Sequence, residues 1–343
     1  MAERYIVTGA AGFIGARFVE AARKRGADVI SVDMKSGVNG GGVDAFTTRP
    51  EHRGIDFGTA LDIDALEPFL AHEFLSTDKP TGITAVIHLG ACSDTMELDE
   101  SVHERLNVAY SKMLWSWCAK HRVPFVYASS AATYGEGASG YDDDESKLTS
   151  LAPLNPYGWS KQRFDLWALG REKAGEAPPS WAGFKFFNVY GFGERHKGRM
   201  ASVILHSFDQ IQKAGVVKLF RSHKAGYGDG EQKRDFVFVG DVVDVCMFAA
   251  SGGIKRGIYN LGTGQARTFA DLARATFKAL GKEPNIEFID MPEALRERYQ
   301  YFTEAKMDRL RAAGYTDAFT SLENGAARYV ERLLAHSNGA DVQ

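Results

Sequence analysis

The sequence has little of what marks a disulfide-linked, metal-binding or membrane protein. Its 3 cysteines (Cys92, Cys118 and Cys246) form no CxxC pair, so a disulfide framework is not expected. The 9 histidines show no metal-ligand spacing such as HExxH. No run approaches the ~20 apolar residues of a transmembrane helix, and the first residues lack a signal-peptide pattern. We therefore expect a soluble, cytoplasmic protein that binds no metal.

An excess of charge of one sign is lacking as well. Lys and Arg number 41 against 44 Asp and Glu, which gives a net charge of −3. Nucleic acids and anionic membranes both select basic surfaces, so neither is expected as a partner. Glycine, by contrast, is abundant: 36 of 343 residues exceed the average share of ~7%. Glycines at this frequency are either loop residues or positions where the backbone approaches a ligand closely.

Short apolar runs alternate with amphipathic stretches through the first half of the chain. Strands are predicted at residues 5–8, 28–33, 84–89 and 124–130, and helices at 13–24, 62–74 and 99–120. This alternation predicts an α/β fold in which helices cover both faces of a parallel sheet. Further strands of the same sheet are predicted at 184–188, 234–238 and 257–260, and mobile glycine-rich loops at 36–42 and 222–232.

Three glycines connect the first predicted strand to the first predicted helix. Gly9, Gly12 and Gly15 have the GxxGxxG spacing that allows a tight turn and close approach of the backbone to a pyrophosphate. The amides at the start of the helix would then face the phosphates. Small residues at the end of the fourth strand, Leu89 to Ala91 with Gly90 between them, offer a second approach to a nucleotide. The pattern predicts a bound dinucleotide.

Asp33 ends the second predicted strand, where an acidic side chain binds the adenosine ribose hydroxyls. Its charge repels a 2′-phosphate and favours NAD, whereas Lys35 would offset that charge and favour NADP. These residues leave the choice between NAD and NADP open.

Tyr157 and Lys161 form a YxxxK pair at the start of a predicted helix. Residues four apart share a helix face, so the lysine ammonium can lie near the phenol and lower a pKa that starts near ~10. Ser129 and Ser130 end the preceding strand, at the edge where α/β folds bind ligands. A serine hydroxyl there can donate to a substrate alkoxide, and no GxSxG motif indicates a nucleophile.

Taken in order, the glycine motif, Ser130, Tyr157 and Lys161 resemble the extended short-chain dehydrogenase/reductases of the NAD-dependent epimerase/dehydratase family, most of which act on nucleotide sugars. Six further segments are similar to one branch of it: 127–135, 187–191, 196–203 (HKGRMASV), 233–241, 260–264 and 298–303 (RYQYFT). The resemblance covers about residues 5–315, and HKGRMASV and RYQYFT are its most specific parts.

This branch implies an isomerase of lipopolysaccharide core synthesis that inverts C6 of ADP-D-glycero-D-manno-heptose, giving ADP-L-glycero-D-manno-heptose. Bound NADP removes hydride from C6 and returns it to the opposite face, so no cofactor is consumed. Two acid/bases are then needed, because one fixed group cannot reach both faces of a carbon. The resemblance assigns Tyr157 to one face, Lys197 to the other, Lys161 to the nicotinamide ribose and Ser130 to polarising the oxygen.

The resemblance also implies the remaining ligand contacts. The expected cofactor-binding residues are Gly9, Gly12, Phe13, Ile14, Gly15, Asp33, Met34, Leu89, Gly90, Ala91, Ser93, Asn107, Lys161, Val189 and Lys197. The expected substrate-binding residues are Ser130, Asn188, Arg199, His206, Phe220, Arg234 and Tyr299. Arg234 suits the diphosphate, unless it forms a salt bridge with Asp235 or Asp241.

The implied fold is a Rossmann-type doubly wound parallel sheet with a smaller mixed α/β substrate domain. The expected division is 1–187 plus 232–261 for NAD(P) binding and 188–231 plus 262–343 for the substrate. The family forms ring-like homopentamers, which implies a homo-oligomer here. Three features depart from the family pattern: Arg199 replaces a small residue, the 222–232 segment is long, and the 36–42 loop is atypical.

Two alternative functions stay open. A UDP-sugar 4-epimerase shares the Ser, Tyr and Lys set but lacks HKGRMASV, and a catalytically silent dinucleotide-binding module has no need of that set. A 4,6-dehydratase is disfavoured, because it carries an Asp-Glu pair where this chain has Ala131 and Ala132.

Overall fold

The computed structural model describes residues 2–34, 44–74, 82–296 and 299–337. Lys35 and the predicted loop at 36–42 lie outside the described residues. The chain forms two compact units: unit 1 comprises residues 1–186, 242–260 and 308–316, and unit 2 comprises 187–241, 261–307 and 317–343. This division differs from the expected one in two segments, because 232–241 belongs to unit 2 and 308–316 returns to unit 1.

The described residues contain strands and helices numbered here in chain order. The strands are β1 (Arg4–Thr8), β2 (Asp28–Asp33), β3 (Thr59–Asp62), β4 (Ala85–His88), β5 (Phe125–Ser130), β6 (Trp181–Phe186), β7 (Asn188–Tyr190), β8 (Val217–Phe220), β9 (Lys233–Phe238), β10 (Ile258–Leu261), β11 (Ala266–Thr268) and β12 (Ile286–Ile289). The helices are α1 (Phe13–Lys24), α2 (Leu66–Glu73), α3 (Glu100–His103), α4 (Tyr110–His121), α5 (Pro156–Lys173), α6 (Val203–Ala214), α7 (Val239–Ala250), α8 (Phe269–Ala279), α9 (Glu293–Arg296), α10 (Asp308–Ala312) and α11 (Leu322–Ser337).

Unit 1 is built on a seven-stranded sheet in the order β10-β6-β5-β4-β1-β2-β3, as expected for a Rossmann-type fold. Pairing is parallel from β3 through to β6, and Thr8 at the end of β1 is in register with Val32 and His88 on either side. The apolar strand residues are buried, which is the pattern of a sheet covered on both faces. The strand order reverses between β1 and β4, and ligands bind at the carboxyl ends of strands beside such a reversal.

Unit 2 is smaller and mixed. Its sheets have the orders β11-β9-β7 and β12-β8, with β9 parallel to β7 and antiparallel to β11. Helices α6, α8 and α11 bury an apolar cluster that includes Ile204, Phe208, Leu272 and Tyr329. This arrangement confirms the expected fold class, an α/β sheet domain with a smaller mixed unit.

The prediction that residues 234–238 extend the large sheet is wrong. The strand exists as β9, but it pairs with β7 and β11 in unit 2. An apolar strand pattern carries no information about its pairing partner, so burial alone could not assign the sheet. The helix predicted over 99–120 is also interrupted, because residues 104–109 form a π-helical segment between α3 and α4.

Candidate active site

The turn between β1 and α1 is closely packed at its glycines. A Cβ on Gly9, which has φ +67°, would lie 2.6 Å from the amide nitrogen of Gly90, and one on Gly15 would lie 1.9 Å from the carbonyl oxygen of Gly9. Gly12 caps α1 without a side chain, and Phe13 and Ile14 follow in the first turn. The backbone here fits a dinucleotide pyrophosphate, because the turn has glycine at positions 9, 12 and 15 and leads into the amides at the start of α1.

Asp33 lies beside this turn at the end of β2. Its Oδ2 accepts a hydrogen bond from the amide of Ala11 at 2.8 Å, and its Oδ1 accepts one from Met34 at 2.8 Å. Burial raises the pKa of Asp33, while these backbone bonds and Arg49 oppose the rise. The carboxylate therefore ties the glycine turn to the end of β2, where the sequence predicts the contact with the ribose.

The loop after β4 lies next to the glycine turn. Leu89 and Gly90 donate to the backbone oxygen and the hydroxyl of Thr8 at 3.1 and 3.3 Å, and Ala91 and Ser93 continue the loop. Asn107 supports this loop from the π-helical segment: its Oδ1 accepts from the Cys92 amide and its Nδ2 donates to the Cys92 oxygen. A direct contact of Asn107 with the cofactor stays a prediction.

The structure brings Ser130, Tyr157 and Lys161 together within unit 1. Asn155 caps α5 by accepting from the Gly158 amide at 2.9 Å, which places Tyr157 in the first turn and Lys161 one turn later. Ser130 ends β5 and hydrogen-bonds the Tyr157 phenol. The Lys161 Nζ donates to the carbonyl oxygen of Ala128 at 2.8 Å and lies 6.0 Å from the centroid of the Tyr157 ring.

The expected lowering of the Tyr157 pKa is contradicted by the structure. Burial raises the pKa of this phenol, and the hydrogen bond with Ser130 opposes the rise. Burial lowers the pKa of Lys161 to about 8, with the Asp165 carboxylate opposing. Desolvation penalises the charged form of both groups, so it outweighs the effect of the neighbouring cation that the spacing suggested.

Behind Tyr157 and Lys161 lies a buried polar cluster that the sequence reasoning missed. Asp165, four residues after Lys161 on α5, forms an ion pair with Lys185 of β6 at 2.7 Å, and both side chains are fully buried. Asp165 also accepts from the hydroxyls of Ser129 at 2.7 Å and Tyr127 at 3.0 Å. Ser129 therefore points into the core while Ser130 faces Tyr157, as strand alternation requires. Asp165 follows Lys161 by four residues on a predicted helix, and this spacing was the signal in the sequence that could have revealed it.

In unit 2, Lys197 lies in a 3-10 turn over Arg195–Met200. Its Nζ is 3.7 Å from Oε2 of Glu194, a buried carboxylate that also accepts from the Ser202 amide at 2.8 Å. Arg199 of the same turn is exposed, as is Asn188 at the start of β7, whereas Val189 and His206 are half-buried. The turn thus presents a lysine beside a fixed carboxylate.

Phe220, Arg234 and Tyr299 meet elsewhere in unit 2. The Arg234 guanidinium lies 5.7 Å from the Phe269 ring centroid and 5.5 Å from that of Tyr299, which in turn is 6.5 Å from the Phe220 ring. Two backbone carbonyls, of Lys233 and Gln300, accept from the guanidinium. Asp235 and Asp241 were the two carboxylates considered as salt-bridge partners of Arg234. Asp235 accepts hydrogen bonds from Thr263, Gly264 and Ala305, and Asp241 accepts them from Thr320.

Comparison with a family model decides the relationship. The model of the NAD dependent epimerase/dehydratase family matches residues 5–262. The chain belongs to this family. The matched range includes the glycine turn and the set of Ser130, Tyr157 and Lys161. The family is therefore the one that the sequence motifs predicted.

Within this epimerase/dehydratase family, close relatives carry one name. A Fusobacterium nucleatum protein named ADP-L-glycero-D-manno-heptose-6-epimerase is 45% identical over 340 residues, covering 96% of this chain and 98% of the relative. A Nitratidesulfovibrio vulgaris protein of the same name is 44% identical over 331 residues, with the same coverage.

Solved structures of the family have the same fold. A Helicobacter pylori ADP-L-glycero-D-manno-heptose-6-epimerase matches with a TM-score of 0.76 at 24% identity and covers 97% of each chain. A Thermus thermophilus UDP-glucose 4-epimerase in complex with NAD matches with a TM-score of 0.70 at 25% identity, over 98% of this chain and 100% of the other.

No helix among the residues described here is long and apolar enough to span a membrane. The same part of the chain contains no group of three or more His, Cys, Asp or Glu residues arranged to hold a metal ion.

Proposed function

We propose that this protein is an isomerase that inverts C6 of ADP-D-glycero-D-manno-heptose to give ADP-L-glycero-D-manno-heptose, a step of lipopolysaccharide core synthesis in the cytoplasm. The observation that carries the proposal is the identity of 44–45% over nearly the full length of relatives with that name. The intact set of Ser130, Tyr157 and Lys161 supports it, because a silent binding module has no need of all three side chains.

In unit 1, the three side chains have separate roles. Tyr157 acts as a phenolate, which takes the proton from the C6 hydroxyl of one epimer and becomes the phenol that returns this proton to the oxygen in the reverse step. Ser130, hydrogen-bonded to that phenol, holds the same oxygen. Lys161 is fixed by the Ala128 carbonyl and orients the nicotinamide ribose. The bound nicotinamide dinucleotide, NADP in this proposal, supplies the reversible hydride acceptor for C6.

Inversion requires proton transfer on the second face of C6, and Lys197 is the proposed acid/base there. The Lys197 ammonium lies next to the buried carboxylate of Glu194. This carboxylate holds the lysine side chain in place and can itself accept a proton. Tyr157 and Lys197 then each serve one epimer, because a single fixed group cannot reach both faces of the carbon.

The ADP portion of the substrate is assigned to residues of unit 2. Arg234 is buried between two aromatic rings and carries a guanidinium suited to diphosphate oxygens. Phe220 and Tyr299 next to it offer apolar faces for the nucleoside, and Asn188, Arg199 and His206 complete the proposed substrate contacts. We further propose a homo-oligomer, a pentamer by resemblance to the family.

The proposal is tested by incubating the purified protein with ADP-D-glycero-D-manno-heptose and no added cofactor. We expect NMR to show conversion to the L-glycero epimer, because the hydride removed from C6 returns to the same carbon. Turnover of UDP-glucose to UDP-galactose without any inversion of the heptose would replace the proposal with the 4-epimerase function, for which the Thermus thermophilus fold match is the supporting observation.

A further inference from the structure

A buried histidine that no sequence motif marked lies one strand away from the glycine turn of unit 1. His88 is the last residue of β4 and is 3% exposed. Its Nδ1 lies 2.6 Å from Oγ1 of Thr8, the residue before Gly9, and its Nε2 lies 2.7 Å from Oγ of Ser111 on α4. The imidazole therefore connects a helix to the end of β1, where the strand order of the sheet reverses.

The Ser111 hydroxyl determines which imidazole nitrogen carries the hydrogen. Ser111 Oγ donates to the carbonyl oxygen of Asn107 at 2.7 Å, so it can only accept from Nε2 of His88. A neutral imidazole with its hydrogen on Nε2 has a lone pair on Nδ1, which accepts from the Thr8 hydroxyl. The Thr8 oxygen in turn accepts from the amide of Gly90 at 3.3 Å. These hydrogen bonds, which we call the His88 network, run in one direction from the Gly90 amide to the Asn107 carbonyl.

The His88 network requires a neutral imidazole. A protonated imidazole donates from both nitrogens, so Thr8 would lose the acceptor for its hydrogen, and Nδ1 would compete with the Gly90 amide for the Thr8 oxygen. Burial lowers the pKa of His88 to about 3, and the nearby charge of Lys161 acts in the same direction. His88 therefore stays neutral near pH 7 and acts through the direction of its hydrogen bonds.

The Thr8 hydroxyl lies against the two glycines of the expected dinucleotide site. A Cβ on Gly90 would lie 3.0 Å from the amide nitrogen of Gly9 and 3.2 Å from Oγ1 of Thr8, so these residues pack closely. At the other end of the network, the Asn107 side chain holds both backbone groups of Cys92 in the loop after β4. The network thus fixes that loop at two points, Gly90 and Cys92.

We propose that His88 is a positioning residue for dinucleotide binding, which orients the Thr8 hydroxyl and thereby keeps Gly90 at the distance from Gly9 that the dinucleotide requires. Without the imidazole, the buried Thr8 hydroxyl would turn toward another acceptor, because leaving it unpaired is costly. The inference rests on the proposed use of a bound nicotinamide dinucleotide, and it adds a residue that acts through Thr8.

The test measures how fast the protein releases its bound dinucleotide. Wild type and variants are loaded with NADP and, in a parallel series, with NAD, then desalted, and the nucleotide retained at successive times is quantified by liquid chromatography and mass spectrometry. We expect His88→Phe, which keeps a buried ring, and Thr8→Val, which keeps the shape of Thr8, each to release it about 10-fold faster, the scale of one lost buried hydrogen bond. Thr8→Ser keeps the hydroxyl and should release it at nearly the wild-type rate. The control His121→Phe replaces a histidine at the opposite end of α4 and should leave the rate unchanged.

A double variant separates positioning from a general loss of stability. If His88 acts through Thr8, the protein carrying both His88→Phe and Thr8→Val should release the dinucleotide no faster than either single variant, whereas independent effects multiply. Multiplied effects, or a Thr8→Val release rate equal to that of wild type, would overturn the inference. The heptose assay is separate, because a protein that inverts C6 and shows unchanged release in Thr8→Val would keep the proposed function and lose the role of His88.

Nitrogen-15 NMR of wild type labelled at histidine tests the same point without replacing His88, and it decides the question if His88→Phe does not fold. The His88 signals are identified as those that shift in Thr8→Val. We expect a hydrogen on Nε2 and none on Nδ1, with no titration between about pH 5.5 and 8, because burial keeps the imidazole neutral. A hydrogen on Nδ1, a titration in this range or the absence of any shifted signal would contradict the inference.

Discussion

The two lysines with proposed roles in the reaction are held in opposite ways. In unit 1, Lys161 is 5% exposed, donates to the Ala128 carbonyl at 2.8 Å and has its pKa lowered to about 8 by burial. In unit 2, the Lys197 side chain is 30% exposed and lies 3.7 Å from a carboxylate oxygen of Glu194. One lysine is fixed to backbone in a buried site, and the other faces both solvent and a buried acid.

This difference separates a positioning lysine from one that transfers protons. A buried ammonium bound to a strand carbonyl holds its position, which suits the orientation of a bound ribose. A partly exposed ammonium beside a carboxylate can exchange its proton with water between turnovers. The comparison predicts that removing either acid/base slows inversion strongly, whereas changing the groups around them causes smaller decreases in rate.

The largest effect is expected for Tyr157→Phe. Loss of the hydroxyl proposed to transfer the proton on one face of C6 should lower the rate about 10²- to 10⁴-fold, the usual contribution of a general acid/base, while the ring keeps its packing. NMR of the heptose product measures the rate, and circular dichroism checks the fold.

Tyr110→Phe is the control for that variant. It removes a buried hydroxyl that has no hydrogen-bond partner among the described residues, so its rate should equal that of wild type. A Tyr157→Phe rate within a few-fold of the control would remove Tyr157 from the mechanism.

Lys197→Met should have the next largest effect, a decrease of about 10²-fold, because the second face of C6 loses its acid/base. Lys213→Met, at an exposed position near the end of α6, is the control in unit 2 and should have no effect. Rates are compared at saturating substrate, so that a decrease reports a slower catalytic step and not weaker substrate binding. A near-normal rate for Lys197→Met would contradict the assignment of two acid/bases to the two faces.

The two units also differ in how well the sequence predicts them. In unit 1, the strands predicted at 5–8 and 28–33 and the helix at 13–24 agree with β1, β2 and α1 to within one residue. Strong apolar periodicity and glycine punctuation define these elements locally. The four-residue strand β3 was missed because it is short and carries no buried apolar run. Strand β9 was recognised but assigned to the wrong sheet, since pairing is a long-range property.

The candidate site shows the same limit. Tyr157, Lys161 and Ser130 could be predicted to meet, because helical spacing and the end of a strand are local features. Lys185 reaches Asp165 of helix α5 from strand β6, and Arg49 reaches Ala11 from a loop 38 residues away in sequence. Neither contact leaves a periodic signal. The residues of unit 2 were placed by resemblance alone, because Lys197 and Arg234 have no local pattern that distinguishes them from surface cations.

Glu194→Gln should have a smaller effect than Lys197→Met. The amide keeps the size of the side chain and its contact with Ser202, but it removes the negative charge beside the ammonium. We expect a decrease of about 10-fold in rate, the scale of one charge-assisted contact. Asp209→Asn removes another carboxylate of unit 2 that pairs with a cation, Arg195, and should leave the rate within a few-fold of wild type. Equal rates for the two variants would show that Lys197 does not depend on Glu194.

The smallest effect is expected from pH and tests the buried lysine. Lys161 is charged below its pKa of about 8 and loses its charge as the pH rises through that value. If the ammonium orients the ribose, the rate at pH 8.5 should be about threefold lower than at pH 7.5, because the protonated fraction of Lys161 decreases by that factor.

Because the Asp165 carboxylate raises the Lys161 pKa, Asp165→Asn should move this alkaline decline to lower pH. Lys161→Arg keeps its charge throughout this range, so whatever activity it retains should lack the decline. A decline that persists unchanged in both variants would assign the titration to another group and leave Lys161 without an electrostatic role.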